Sequence, residues 1–167
     1  MAKITGNKIW EEDEKLVHEL AERGFGEKQG ARMLLGDVEA LYLLEKKKIA
    51  LGRGGKGLTF KSLFSRLGRQ RKDIAIRYAV YKDLRFKGYF VRISYKDDKY
   101  LRVYEKGVRP VDGHSAWVIQ PVESKWKAGI SDISKAVRLA HSVRKKVVWA
   151  AVENDEISYF KLEKIVL

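Results

Sequence analysis

The chain has 167 residues, enough for one domain or two small ones sharing an interface, and 45% hydrophobic content with two Pro marks an ordered globular protein. It holds no Cys, which excludes disulfides, thiolate nucleophiles and thiolate metal sites. Lys and Arg number 35 against 22 Asp and Glu, and the resulting net charge of +13 favours a polyanionic partner, nucleic acid ahead of a membrane surface.

The chain opens MAKITGNKIWEEDEK, with a short strand expected over 3–10 and an acidic turn by residue 11. No apolar core of a signal peptide is present there, and no stretch reaches the ~18 apolar residues of a membrane span, so a cytoplasmic protein is expected. A mixed segment continues through 23–26. Val38, Leu41, Leu44 and Lys48 then keep a helical spacing, predicting a helix over 38–47 with Asp37 as its N-cap. The GRGGKG within 49–60 fits neither P-loop nor dinucleotide spacing and reads as a hairpin turn, from which Arg53 and Lys56 can reach an RNA backbone. A short helix is expected over 61–67, followed by the basic run RLGRQRK at 66–72. A long helix over 72–87 turns Ile76, Ala79, Val80 and Leu84 inward, and Gly88 ends it.

Beyond it, strands are expected over 89–95, 100–104 and 116–122, then a helix over 132–144 with Ser131 as N-cap. Two strands, 147–153 and 156–162, close the chain around Asn154-Asp155. The order β-β-β-α-β-β describes an α/β (α+β) protein built on a mixed sheet. The expected division is a small N-terminal α/β domain over 1–70 and a C-terminal mixed-sheet domain with flanking helices over 71–167. Two Asn and three Gln beside 34% charged residues resemble a thermophile composition.

Histidine suits acid–base chemistry near neutrality, and there are three. His18 lies in a charged helical segment without a partner. His141 sits on a helix, where packing or a phosphate contact is the default. His114 lies in RPVDGHSAW, a loop entering an apolar strand, where a rigid element can present a reactive group. Arg138, Ser142 and Lys145 share one helix face, with Ile133, Val137 and Ala140 on another, and the basic face runs into Arg144-Lys145-Lys146. Such a stripe is ordinarily a solvated face; here it also suits a phosphate clamp. Asp112 followed by Glu123 and Lys125 is the alternative, the order used by magnesium-dependent DNA junction nucleases, although Pro121 disturbs the strand that must present it. No nucleophile-elbow sequence appears.

The segments YAVYKDLRFKGY (78–89), LRVYEKG (101–107), GHSAW (113–117) and RLAHSVRKKVV (138–148) resemble the archaeal tRNA-splicing endonuclease family, and DVEALYLL (37–44) is similar to its N-terminal domain. The resemblance implies a C-terminal nuclease domain that cleaves precursor tRNA at bulge–helix–bulge intron junctions, without a metal or other cofactor. It implies attack by the ribose 2′-hydroxyl, leaving a 2′,3′-cyclic phosphate and a 5′-hydroxyl. By the same likeness Tyr104 is the general base, His114 the general acid and Lys145 the stabiliser of the phosphorane. Arg138 matches an arginine that stacks on a bulged base, and Ser142, Arg144 and Lys146 complete the expected RNA-binding set. Two cuts with one triad per chain imply an assembly. The loop over 123–132 carries Lys125 and Lys127 and no acidic cluster, which tilts the expectation towards a heterotetramer with a noncatalytic structural subunit over a homotetramer. A noncatalytic RNA-binding subunit is the remaining alternative.

Overall fold

A computed structural model of the chain describes residues 1–93 and 99–167. Backbone contacts group it into two compact units, Met1–Lys82 and Asp83–Leu167.

The first unit opens with a hairpin, β1 (Ala2–Thr5) and β2 (Lys8–Glu11), where one strand over 3–10 was expected. Gly6 makes the reversal possible with a φ of +61°. The charged helical segment around His18 is helix α1 (Glu14–Glu22), and beyond it the chain forms a second hairpin, β3 (Glu27–Gln29) and β4 (Arg32–Leu35). Asp13 caps α1 by accepting from the Leu16 N–H at 3.0 Å, and Val17 and Leu20 are its buried face.

Helix α2 (Asp37–Glu45) is entered from Gly36, so Asp37 is its first residue and not its cap. The capping work falls to Glu39, whose carboxylate reaches back to the Gly36 N–H at 2.9 Å and takes the Gly26 N–H at 3.2 Å. The glycine-rich segment is the expected hairpin, β5 (Leu51–Arg53) with β6 (Lys56–Leu58). Helix α3 (Phe60–Gln70) starts at a Thr59 cap. The sheet runs β3-β4-β2-β1-β5-β6, with β1 and β5 its one parallel pair.

Helix α4 (Ile74–Phe86) belongs to the first unit through Lys82 and to the second from Asp83. Ile74, Arg77, Tyr78, Val80, Tyr81 and Leu84 are buried, while Ile76 and Ala79, expected inward, are half-buried. Glu45 accepts from the Tyr78 hydroxyl at 2.9 Å and from the Lys82 ammonium at 2.7 Å. Burial alone would raise the Glu45 carboxyl, but those two donors hold it below the usual range. Gly88 ends the helix with a φ of +85°.

The second unit follows the expected β-β-β-α-β-β order: β7 (Val91–Ile93), β8 (Leu101–Val103), β9 (Trp117–Glu123), α5 (Ile130–Val143), β10 (Lys146–Glu153) and β11 (Glu156–Leu162). The strand expected over 89–95 is shorter as β7, and Ser94 and Tyr95 lie outside the described residues. The sheet order is β11-β10-β9-β8-β7, in which only β9 and β10 run parallel. A parallel pair needs a crossover, and α5 supplies it. Val118, Ala136 and Val147 join helix to sheet, with Leu139, Ala140, Trp149 and Leu162 packed around them.

Ser131 is not the α5 cap. Gly129 holds that position, and the Asp132 carboxylate accepts its N–H at 2.9 Å. Pro121 fits within β9 because it lies past Ile119, the last residue paired with β8, so no ladder bond on that side is lost.

Candidate active site

Strand register builds the site. Val103 of β8 pairs with Trp117 of β9, and Trp117 pairs with Lys146 of β10. One step beyond each strand end, Tyr104, Ala116 and Lys145 therefore form a row across the sheet. The backbone fixes that row: the Ala116 N–H donates to the Val103 carbonyl at 2.9 Å, and the Lys146 N–H to the Ala116 carbonyl at 3.1 Å. The Tyr104 N–H donates to the Phe90 carbonyl at 3.0 Å on the other side. At a strand spacing of about 4.8 Å, the Tyr104 and Lys145 backbones stand roughly 10 Å apart. His114, two residues before Ala116, enters at the same end of the sheet.

The three side chains have different surroundings. Tyr104 is 6% exposed, whereas His114 is exposed on its loop. Lys145 is half-buried, and its ammonium donates to the Ser115 carbonyl at 2.7 Å. That bond fastens the start of β10 to the loop that carries His114. Burial, reinforced by the positive Arg102, pulls the Lys145 pKa below the ordinary lysine value.

Helix α5 ends where the chain must turn into β10. Arg144 makes the turn in a left-handed conformation, φ 52° and ψ 46°, and the Lys145 N–H closes it on the Ala140 carbonyl at 3.0 Å. Arg138, Ser142, Arg144 and Lys146 are all exposed. The Ser142 hydroxyl donates to the Leu139 carbonyl at 2.9 Å, so what it offers outward is its oxygen as an acceptor.

An open cleft of about 510 Å3 adjoins this end of the sheet. His141, Arg144, Lys145 and Lys146 line it, from the end of α5 and the start of β10, together with Lys161 and Lys164 from the end of β11 and just beyond. Tyr104, His114 and Arg138 are not part of its lining; Ala116 of the row and Glu105 next to Tyr104 are. Lys164 was missed in the sequence, as was the place of Lys161 on this cleft. Counting eight residues back and forth from the Asn154-Asp155 turn sets Leu162 opposite Val147, which would have brought them to Lys146.

The magnesium arrangement is not assembled. Asp112 is held by Arg109 at 2.6 Å in the loop before β9, and Glu123 lies at the far end of that strand. Trp117 to Glu123 spans about 20 Å at the rise of an extended strand. Among the described residues no group of three His, Cys, Asp or Glu could hold a metal ion, and no helix is long and apolar enough to cross a membrane.

Comparison with known proteins bears on the same residues. The family model for the catalytic C-terminal domain of tRNA intron endonuclease matches residues 74–159, and that for the N-terminal domain matches 2–64. The tRNA-splicing endonuclease of Thermococcus onnurineus is 41% identical over 164 residues, covering 96% of this chain and 94% of the relative. That of Pyrococcus furiosus is 38% identical over 96% of this chain and 93% of its own. For Methanococcus maripaludis the identity is 34%, over 96% and 92%.

Proposed function

The chain belongs to the tRNA intron endonuclease family and is an RNA endonuclease of tRNA splicing, and from that premise we propose how it cuts. The substrate is a precursor tRNA, recognised by its bulge–helix–bulge shape and opened without a metal ion. The 2′-hydroxyl oxygen attacks the adjacent phosphorus, the bond from phosphorus to the 5′-oxygen breaks, and the products carry a 2′,3′-cyclic phosphate and a 5′-hydroxyl. Tyr104 takes the 2′-hydroxyl proton and His114 supplies one to the departing 5′-oxygen. Lys145 offsets the negative charge that builds on the phosphorane oxygens.

The observation that carries this reading is the row set by register. It draws Tyr104, Lys145 and the His114 loop to one end of one sheet although they are scattered over forty-two positions of chain. Since the nucleophile belongs to the RNA, a base, an acid and a fixed cation are the groups required. Tyr104 is the demanding assignment, because an ordinary phenol near pKa 10 is a weak base at pH 7. Arg138 stacks on an unpaired base, where its planar guanidinium gains cation–π and stacking contributions. Ser142, Arg144 and Lys146 contact the RNA backbone.

Two cuts need two such sites at a fixed separation, so the chain works in an assembly, and a heterotetramer with a noncatalytic partner is the form we favour. The test is cleavage of a bulge–helix–bulge RNA in EDTA. Cyclic-phosphate ends, lost in His114→Ala, are expected; an absolute requirement for magnesium would refute the mechanism. Cleavage by the chain alone would remove the case for a noncatalytic partner.

A further inference from the structure

The cleft beside Lys145 holds more positive charge than the three-residue mechanism uses. Arg144, Lys145, Lys146, Lys161 and Lys164 line it against two acids, Glu105 and Glu163. Glu163 is already engaged by Lys161 at 2.6 Å, and its carboxyl is held low by that hydrogen bond. Among the described residues no ion pair holds Arg144, Lys146 or Lys164. At about 510 Å3 the cleft is within the size range of ligand sites, roughly 300–1,000 Å3.

The φ of Arg144, 52°, is a conformation that glycine adopts freely and that strains a residue with a side chain. The guanidinium is exposed and enters no ion pair among the described residues, while the turn itself is closed by the Lys145 N–H on the Ala140 carbonyl. A left-handed residue also ends α2, at Lys47 with a φ of 54°, so it is the exposed guanidinium beside the cleft, and not the turn, that bears on binding.

We propose that this cleft is a second phosphate-binding site, which takes a non-scissile phosphodiester of the same RNA strand on Arg144, Lys161 and Lys164. This deepens the endonuclease reading and rests on it, since the cleft shares Lys145 with the cutting site. A strand whose scissile phosphate lies against Lys145 carries its neighbouring phosphate into the cleft. There a guanidinium fork and two ammonium groups can form charge-assisted hydrogen bonds to it. Because the contact is to backbone, it fixes the register of the strand at the cut without reading a base. His141, on the cleft wall, adds a ring N–H donor.

The experiment uses the full chain, with its partner subunit if one is required, in a His114→Ala background that binds without cutting. A bulge–helix–bulge RNA is titrated over a range of salt, both unmodified and with a single neutral methylphosphonate moved through the nucleotides around the cut. Lys161→Gln combined with Lys164→Gln is expected to weaken binding by about 5–20-fold and to flatten the plot of log Kd against log salt by at least about 0.7. One non-scissile methylphosphonate position should weaken binding to the parent and not weaken the double variant further. Arg144→Gly should lose affinity while its melting temperature holds or rises, which a structural role would not produce.

Unchanged affinity and slope would overturn the proposal. So would equal losses at every methylphosphonate position, or loss of assembly with RNA affinity intact, which would give the cleft to an acidic protein segment. If the binding pattern appears but the parent with His114 restored never cuts the RNA, the endonuclease mechanism fails and the cleft stands.

Discussion

Replacing Lys145 by Met separates a catalytic charge from a structural pin. The ammonium of Lys145 donates to the Ser115 carbonyl at 2.7 Å, and a charge-assisted hydrogen bond of this kind contributes about 1.5–3 kcal/mol to stability. Against that, burial and Arg102 destabilise the charged form, as the lowered pKa records, and Met is free of that cost. The opposing contributions leave a net change within about 1.5 kcal/mol, or a shift in Tm of no more than about 6 °C for a chain of this size. The chemical step has no such compensation. Loss of a fixed donor to a developing oxyanion slows reactions by about 100–1,000-fold, roughly 2.7–4 kcal/mol. Single-turnover cleavage with protein in excess, read beside thermal unfolding, measures both. A Tm loss far above 6 °C with a matching fall in activity would make Lys145 a pin between β10 and the His114 loop. A chemical rate within threefold of the parent would remove it from the mechanism.

The same group sets an alkaline limit. Lys145 acts as a cation and its pKa lies below the ordinary 10.5, so kcat/KM is expected to decline as pH rises through that lowered value, and Lys145→Arg should move the decline upward. For folding the sign is opposite. The penalty on the charged form is fully present below the folded pKa and vanishes as pH rises past the unfolded value near 10.5, which the difference in melting temperature between the parent and Lys145→Met across pH would report. In the first unit, Glu39→Ala removes the carboxylate that accepts from the Gly36 N–H at 2.9 Å and the Gly26 N–H at 3.2 Å, and loss of the buried Gly36 bond by itself costs about 1–3 kcal/mol, which urea unfolding should register. Gly26→Ala would place a Cβ 2.5 Å from the Met33 Cγ and 2.8 Å from the Leu34 carbonyl at a φ of +57°, whereas Gly30→Ala, at +65°, meets open space. The Gly30 change is expected to cost about 1 kcal/mol and the Gly26 change at least twice that, and equal midpoints in urea would contradict the difference.

What the sequence resolved and what it missed follow from how local each signal is. The β10–β11 hairpin was legible because Asn154 and Asp155 suit the left-handed turn they adopt, with φ of 46° and 68°. Gly88 and the GRGGKG turn were legible for the same reason. Strand β3 was not, since Glu27, Lys28 and Gln29 are all exposed and show no alternation, and only pairing with β4 makes them a strand. Both misplaced caps share a cause: Gly36 and Gly129 have no capping side chain, and Glu39 and Asp132 reach back from inside the helix.

At the candidate site the division is sharper. Residue types and a family likeness singled out Tyr104, His114 and Lys145, along with the basic face of α5. Tertiary structure alone decided that β9 and β10 run parallel, that Val103, Trp117 and Lys146 share a row, and that Lys161 and Lys164 line one cleft with Lys145. Residue chemistry and turn preference are written within a few neighbouring positions, so a sequence can carry them. Strand register is set by hydrogen bonds and burial between segments far apart in the chain, and it exists only once the sheet has formed.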